Sequence, residues 1–338
     1  MADAMSAPAG PHWLPTQIQW TPSGPAVDWC HLGDLRFTDP FFAQTVAAAM
    51  AHPFNLLFRC TTALDALPIP QTPELRPAGF IFHMSRCGST LVTQMLAALA
   101  GNVALSEPKP IDQILRVPSR WPGIDSERLV LWLLALTAAL GRRRGAKERD
   151  LFIKFEGWHT LLLPLIRRAF PHVPWIFLYR EPLEVLVPMT EQFPADIEPA
   201  LFGLSWPQAQ AMSTAAYCAL VLERIFQAAI AQHGVGGGLL IEYGELPEAV
   251  CGPMLDHFGL RYTADELARM RQAARFDAKQ PKTLFTPDAA EKRSAASAEL
   301  VELAATRLAP LYRELEALRR GVKPPGPPGP PRQNSARP

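Results

Sequence analysis

Short apolar runs alternate with stretches of helical periodicity through the middle of the chain. "GFIFHM" (79–84), "LFIKF" (151–155), "WIFLY" (175–179) and "GLLIEY" (238–243) are nearly unbroken apolar runs, the pattern of strands buried on both faces. Helical patterns lie between them: one over about 88–100, one in "HTLLLPLIRRAF", and a long one in "WPQAQAMSTAAYCALVLERIFQAAIAQHG". Ser205 is the expected N-cap of the long helix, with Pro207 in its first turn and Gly234 just past its end. This alternation predicts an α/β fold of three layers, a central parallel sheet flanked by helices. Ligands of such sheets bind beyond the carboxyl ends of the strands.

Residues 1–77 stand outside the alternation. They are rich in Pro and Trp, carry one helical stretch near "DPFFAQTVAAAM", and end in the connector "LPIPQTPELRP". They read as an N-terminal extension whose role the sequence does not reveal, ahead of an α/β domain over 78–321. The last segment, 322–338, is "VKPPGPPGPPRQNSARP"; it has one large apolar residue, Val322, and is expected to be disordered.

Composition narrows the partners. The 338 residues carry a net charge of +1, so no overall field favours nucleic acid or an anionic membrane, and any anion site must be local. The five cysteines are scattered without a Cys-x-x-Cys pair, which argues against a disulfide framework and a structural zinc. "MADAMSAPAGPHW" lacks the basic start and apolar core of a signal peptide. The longest apolar run, 129–140, is too short to span a bilayer. A cytoplasmic protein without a membrane span is expected; its oligomeric state is not legible.

The chemistry concentrates in "HMSRCGST" (83–90), a turn that follows a strand and opens a helix. N–H groups at a helix start lack partners within the helix, Gly88 permits close approach, Ser89 and Thr90 add hydroxyls, and Arg86 adds a forked cation. These are the parts of a phosphate or sulfate cradle. The nucleoside-triphosphate loop G-x-x-x-x-G-K-[ST] does not fit: His83 stands at its first glycine and Ser89 at its lysine.

The stretch instead resembles the 5′-phosphosulfate loop of the sulfotransferase family, which uses 3′-phosphoadenosine 5′-phosphosulfate on a P-loop-like α/β fold. Arg86, Cys87, Gly88, Ser89 and Thr90 match that loop, with Cys87 in place of the usual serine. The arginine, and "LSEP" downstream, are closer to the tyrosylprotein and bacterial branches. A second match lies about 90 residues on: "FLYREPLEVLVPM" (177–189) is similar to the family's 3′-phosphate segment, with Arg180 as the gripping arginine. Pro188 replaces the usual serine there, and Thr190 is the nearest hydroxyl that could compensate. The resemblance further implies Lys154 beside the transferred group, Tyr243 near the cosubstrate, and a late loop over 276–292 that supplies Lys292, with Lys279 and Lys282 as alternatives. It covers roughly residues 79–292.

Sulfuryl transfer makes the demands of phosphoryl transfer, in-line positioning and neutralisation of charge on equatorial oxygens. Arg86 and Lys154 with the loop donors can meet them, and no metal is expected. An alcohol or amine acceptor needs a general base. Glu107, 21 residues after Arg86, matches the glutamate of the tyrosylprotein branch; Glu156, two residues past Lys154, is the rival. His83 and His159 read as near-core histidines. The acceptor, a small molecule or a peptide, is not legible; Trp121, Trp132, Phe193 and Trp206 could select it or could equally be core. A nucleotide-dependent kinase and a nucleotide-binding module without turnover remain as other classes.

Overall fold

The computed structural model describes residues 8, 10–121, 123–193, 197–280, 282–286 and 289–321. The 322–338 segment, expected to be disordered, lies outside them. The N-terminal extension holds a sheet that the alternation gave no sign of. β1 (Trp13–Thr21) and β2 (Gly24–His31) form an antiparallel hairpin, and β3 (Cys60–Ala63) pairs with β2. Prolines at 15 and 25 and a register shift between Pro15 and Gln17 break the period-two signal. Helix Phe42–Met50 follows, on the stretch that predicted it.

The extension shares one buried cluster with the rest of the chain, Leu14, Ile18, Val27 and Trp29 being continuous with the α/β core. A side-chain clamp fixes it. Gln113, on helix Lys109–Leu115, accepts the Ile18 N–H at 2.6 Å and donates to the Ile18 carbonyl at 2.9 Å. It thereby satisfies the backbone of a β1 residue that is 3% exposed.

The second sheet is parallel throughout: β4 (Pro77–His83), β5 (Asn102–Ser106), β6 (Asp150–Lys154), β7 (Trp175–Tyr179) and β8 (Gly238–Glu242), in the order β5-β6-β4-β7-β8. Helices flank it, which is the predicted α/β architecture. β5 was not foreseen; "NVALS" is five residues long and opens and closes on polar side chains. From β4 the chain turns toward β5, whereas from β7 it turns toward β8. The carboxyl ends of these two neighbours therefore diverge and open a crevice.

Two helices differ from expectation. The long helix divides into Trp206–Gln210, capped by Ser205 as predicted, and Thr214–Gln232. The break follows from Ser213, whose hydroxyl accepts the Ala216 N–H at 3.1 Å and starts a new helix. "HTLLLPLIRRAF" gives a 3₁₀ turn, Gly157–Leu162, before the α-helix Leu163–Ala169, with Pro164 in the first turn. Thr214–Gln232 is long and apolar enough to cross a bilayer, with a mean hydropathy of 1.3, yet it packs as a core helix with Cys218, Val221, Leu222 and Phe226 fully buried.

Candidate active site

Each strand of the parallel sheet delivers one polar side chain at its carboxyl end. β4 ends in His83 and β6 in Lys154; Glu107, Arg180 and Tyr243 stand one residue past β5, β7 and β8. All five line one cavity of about 540 Å³.

The anion cradle occupies the turn after β4. Ser85 (φ 84°), Arg86 (φ 49°) and Gly88 (φ 82°) hold left-handed backbone there. Ser85, Arg86 and Glu107 are the non-glycine residues with positive φ among the described residues, and all three line the cavity. Such strain persists only where its surroundings over-determine it, and it gathers at functional sites. Gly88 is required twice over: for its φ, and because a Cβ would meet Leu246 at 2.5 Å and the Tyr243 ring at 3.1 Å. Gly88 caps helix Ser89–Ala97 without a side-chain hydrogen bond, the kind of helix start at which N–H groups can meet an anion. Arg86 donates to Gln192 at 2.7 Å.

Cys87 differs from its expected place as a cosubstrate-binding side chain. Its Sγ points into the core, 3.2 Å from the Leu178 carbonyl, and burial pushes the thiol up to about 12.

Arg180 defines a second cationic station. It is 3% exposed, its guanidinium lies 4.0 Å from the Tyr243 ring centroid, and Nε and Nη2 both reach Glu184 Oε2, at 2.8 and 2.7 Å. Pro188 does not break helix Pro182–Glu191. Thr190 does not take over a serine's role: its hydroxyl donates to the Val187 carbonyl at 2.8 Å, and it does not line the cavity. Lys292 lines the cavity, and so does Lys279; Lys282 does not. Desolvation lowers the Lys279 ammonium, and the charges of Arg86 and Lys154 push in the same direction against Glu107 and Asp277.

A Lys–Glu pair lies on the other side of the cradle from Arg180, at the ends of β5 and β6. Lys154 is 1% exposed; its Nζ lies 2.9 Å from Glu107 Oε1, 3.4 Å from Thr90 Oγ1, and 4.9 Å from the Phe41 ring centroid. Burial pushes the Glu107 carboxyl up, but the Lys154 ammonium, aided by His83, outweighs it and holds the group down to about 2. The Glu107 N–H donates to the Lys154 carbonyl at 2.8 Å.

Glu156 also lines the cavity but is bound into the wall. It accepts from Trp158 Nε1 at 3.1 Å and lies 3.7 Å from Arg116, which in turn holds Asp112 at 2.7 Å. His159 donates Nε2–H to Asp112 at 3.1 Å while its Nδ1 accepts the Glu156 N–H, also at 3.1 Å. Asp112, Glu156 and His159 have ligand atoms within 4.8 Å of one another, and Arg116 answers the carboxylate charge. His159 is thus part of a buried scaffold, as read from the sequence, whereas His83 faces Glu107.

Much of the remaining wall is apolar, with Phe41, Trp158, Met189, Ile197, Val221 and Ile225, and Asp277 adds a carboxylate to it. None of Trp121, Trp132, Phe193 and Trp206 belongs to it. Trp121 and Trp132 pack on Trp20, Phe193 packs on Tyr217, and Trp206 is 63% exposed. Phe41 was not singled out by sequence reasoning; it stands in "DPFF" beside the buried Phe42, with nothing to mark which ring faces the site.

No family model matches the chain, and no curated protein matches it. Solved structures similar to the chain include sulfotransferases. One from Alicyclobacillus acidocaldarius is 16% identical, covers 72% of this chain and 96% of its own, and has a TM-score of 0.42. One from Mycobacterium avium is 12% identical, over 82% and 81%, with a TM-score of 0.48. A mouse sulfotransferase complexed with PAP is 12% identical, over 72% and 85%, with a TM-score of 0.38. At such identities and scores, function has to be argued from the residues themselves.

Proposed function

We propose that the protein is a sulfotransferase that moves a sulfuryl group from 3′-phosphoadenosine 5′-phosphosulfate to the hydroxyl or amine of a largely apolar acceptor. One observation carries the reading: two cation-bearing stations, Arg86 with the 85–90 turn and Arg180 with Tyr243, open onto the same cavity, with the Lys154–Glu107 pair beside the turn on the side away from Arg180. A nucleotide with phosphates at both ends of its ribose suits two stations; a triphosphate needs one. The turn takes the 5′-phosphosulfate and Arg180 the 3′-phosphate. Lys279 and Lys292 approach from the late loop.

The acceptor oxygen attacks sulfur as the bond from sulfur to the 5′-phosphate oxygen breaks. The acceptor proton passes to Glu107, and adenosine 3′,5′-bisphosphate leaves with the bonding pair. Arg86 and Lys154 neutralise the charge that grows on the bridging and equatorial oxygens. A carboxyl held at about 2 is a weak base. Anionic sulfuryl oxygens would draw Lys154 from Glu107, and the carboxylate then gains basicity in the loaded site.

The test is ligand-induced stabilisation. Adenosine 3′,5′-bisphosphate at a hundredfold excess over its Kd should add about 2.7 kcal/mol, and ATP with Mg²⁺ should add less. A melting curve unmoved by millimolar ligand, or moved more by ATP, sinks the reading. Arg180→Ala should weaken nucleotide affinity, because the 3′-phosphate does not change during reaction; Arg86→Ala should mainly lower kcat. Tight nucleotide binding without transfer to any acceptor would mark a binding module.

A further inference from the structure

His83 ends β4 with 5% of its surface exposed. Its Nδ1 accepts the Ser85 N–H at 3.0 Å, so the neutral ring carries its proton on Nε2. That Nε2 has no hydrogen-bond partner among the described residues, and it lies 3.5 Å from Glu107 Oε1. A buried donor left unpaired is costly, and this one is aimed at the carboxylate. Lys154 approaches the same oxygen, Oε1, at 2.9 Å. Two donors therefore converge on Oε1 of the carboxylate. Burial, with the Lys154 charge, lowers the pKa of the imidazole despite Glu107 and the Phe155 backbone, which keeps it a neutral donor.

We propose that His83 is a positioning residue: Nε2–H fixes the rotation of the Glu107 carboxylate, and Nδ1 ties that carboxylate to the Ser85 end of the anion cradle. The inference rests on Glu107 being the base. Hydrogen bonds of catalytic groups are often long in empty sites and tighten on loading, and an anion in the cradle acts on the very turn to which Nδ1 is bound. No proton moves through His83; Nε2 already holds one and Nδ1 is occupied, so the acceptor's proton stays on Glu107.

Two variants separate the two contacts. In His83→Asn the side-chain oxygen can replace Nδ1 for Ser85, but no donor reaches Glu107. In His83→Gln the amide N–H can replace Nε2, but Ser85 loses its acceptor. The readouts are the titration of the Glu107 carboxyl by ¹³C NMR of glutamate-labelled protein, assigned by its loss in Glu107→Gln, the Kd of adenosine 3′,5′-bisphosphate, and acceptor kinetics. For His83→Asn the carboxyl should titrate higher, because a hydrogen bond to its charged form is gone. Its Kd should stay within about twofold of wild type, and kcat should fall about tenfold or more with KM nearly unchanged, as for an interaction made in the transition state. For His83→Gln the carboxyl should titrate as in wild type while the Kd weakens. A Glu107 titration identical in all three proteins overturns the proposal. So does a parallel loss of melting temperature, affinity and kcat in both variants, which a merely structural histidine would give. A wild-type protein that binds no nucleotide refutes the sulfotransferase reading instead, and the carboxyl titration still decides the role of His83.

Discussion

Glu107 combines properties that rarely meet in one side chain. Its backbone is left-handed (φ 57°), its N–H is pinned to the strand that carries Lys154, and its carboxyl is held ionised by Lys154 and His83. Glu107→Gln keeps the shape and removes the proton acceptor, so transfer at saturating cosubstrate should fall about 10²–10⁴-fold. Cosubstrate binding should be unchanged or tighter, because the buried Lys154 loses its counter-charge and gains one from the ligand. Glu156→Gln, whose wild-type carboxylate is held by Trp158 and Arg116, should cost far less turnover. Single-turnover rates beside a Kd for each variant settle it; an active Glu107→Gln with a dead Glu156→Gln moves the base to the Lys154 strand. That Arg86, Gly88, Ser89, Thr90 and Arg180 line one cavity follows from strand-end turns whose pattern is local in sequence. The inward thiol of Cys87, the back-bonded hydroxyl of Thr190 and the aim of His83 were not legible there. Each depends on which way a side chain turns once its strand or helix is packed.

At the scale of elements, the four fully apolar strands were legible from hydrophobic pattern alone, since burial on both faces needs little else. β5 and the N-terminal sheet were not, because their signal lies in pairing rather than composition. Yet β5 places Glu107, and the extension places Phe41 over Lys154. The extension is held in part by Gln113, which serves both backbone groups of Ile18. Gln113→Leu leaves a buried N–H and a buried carbonyl without partners and should cost about 1–3 kcal/mol, read from denaturant midpoints at constant m-value. If the contact positions Phe41, the acceptor KM should rise while nucleotide Kd holds, because Arg180 and the cradle lie on other elements. Unchanged stability would show that solvent replaces the amide at no cost.

Across the whole molecule, acid should act through the floor of the site. Burial keeps His83 and His159 below the ordinary value of 6.5, more strongly than Glu107 and Asp112 raise them. The unfolded chain then binds protons below about pH 6.5 that the folded rings refuse. The sign follows: stability is highest above that pH and falls as pH drops toward the folded values, by up to about 1.4 kcal/mol per pH unit for each ring. Glu107 and Asp112 work in a lower window. Their folded values lie below the ordinary 4.5 and 3.8, so their contribution is complete above those values and is lost as pH falls further. Two descents are therefore expected, one beginning near pH 6.5 and a second near pH 4.5. Unfolding free energies from denaturant titrations at pH 7.5, 5.5 and 4 measure both. The double variant His83→Gln, His159→Gln should make the first descent shallower and leave the second in place, the remainder of the first belonging to His31, His233 and His257, whose values burial also lowers. Equal stability of the wild type at pH 7.5 and 5.5 would mean that the folded protein accepts protons on these rings, and the picture of two neutral Nε2–H donors, one facing Glu107 and one bound to Asp112, would fail with it.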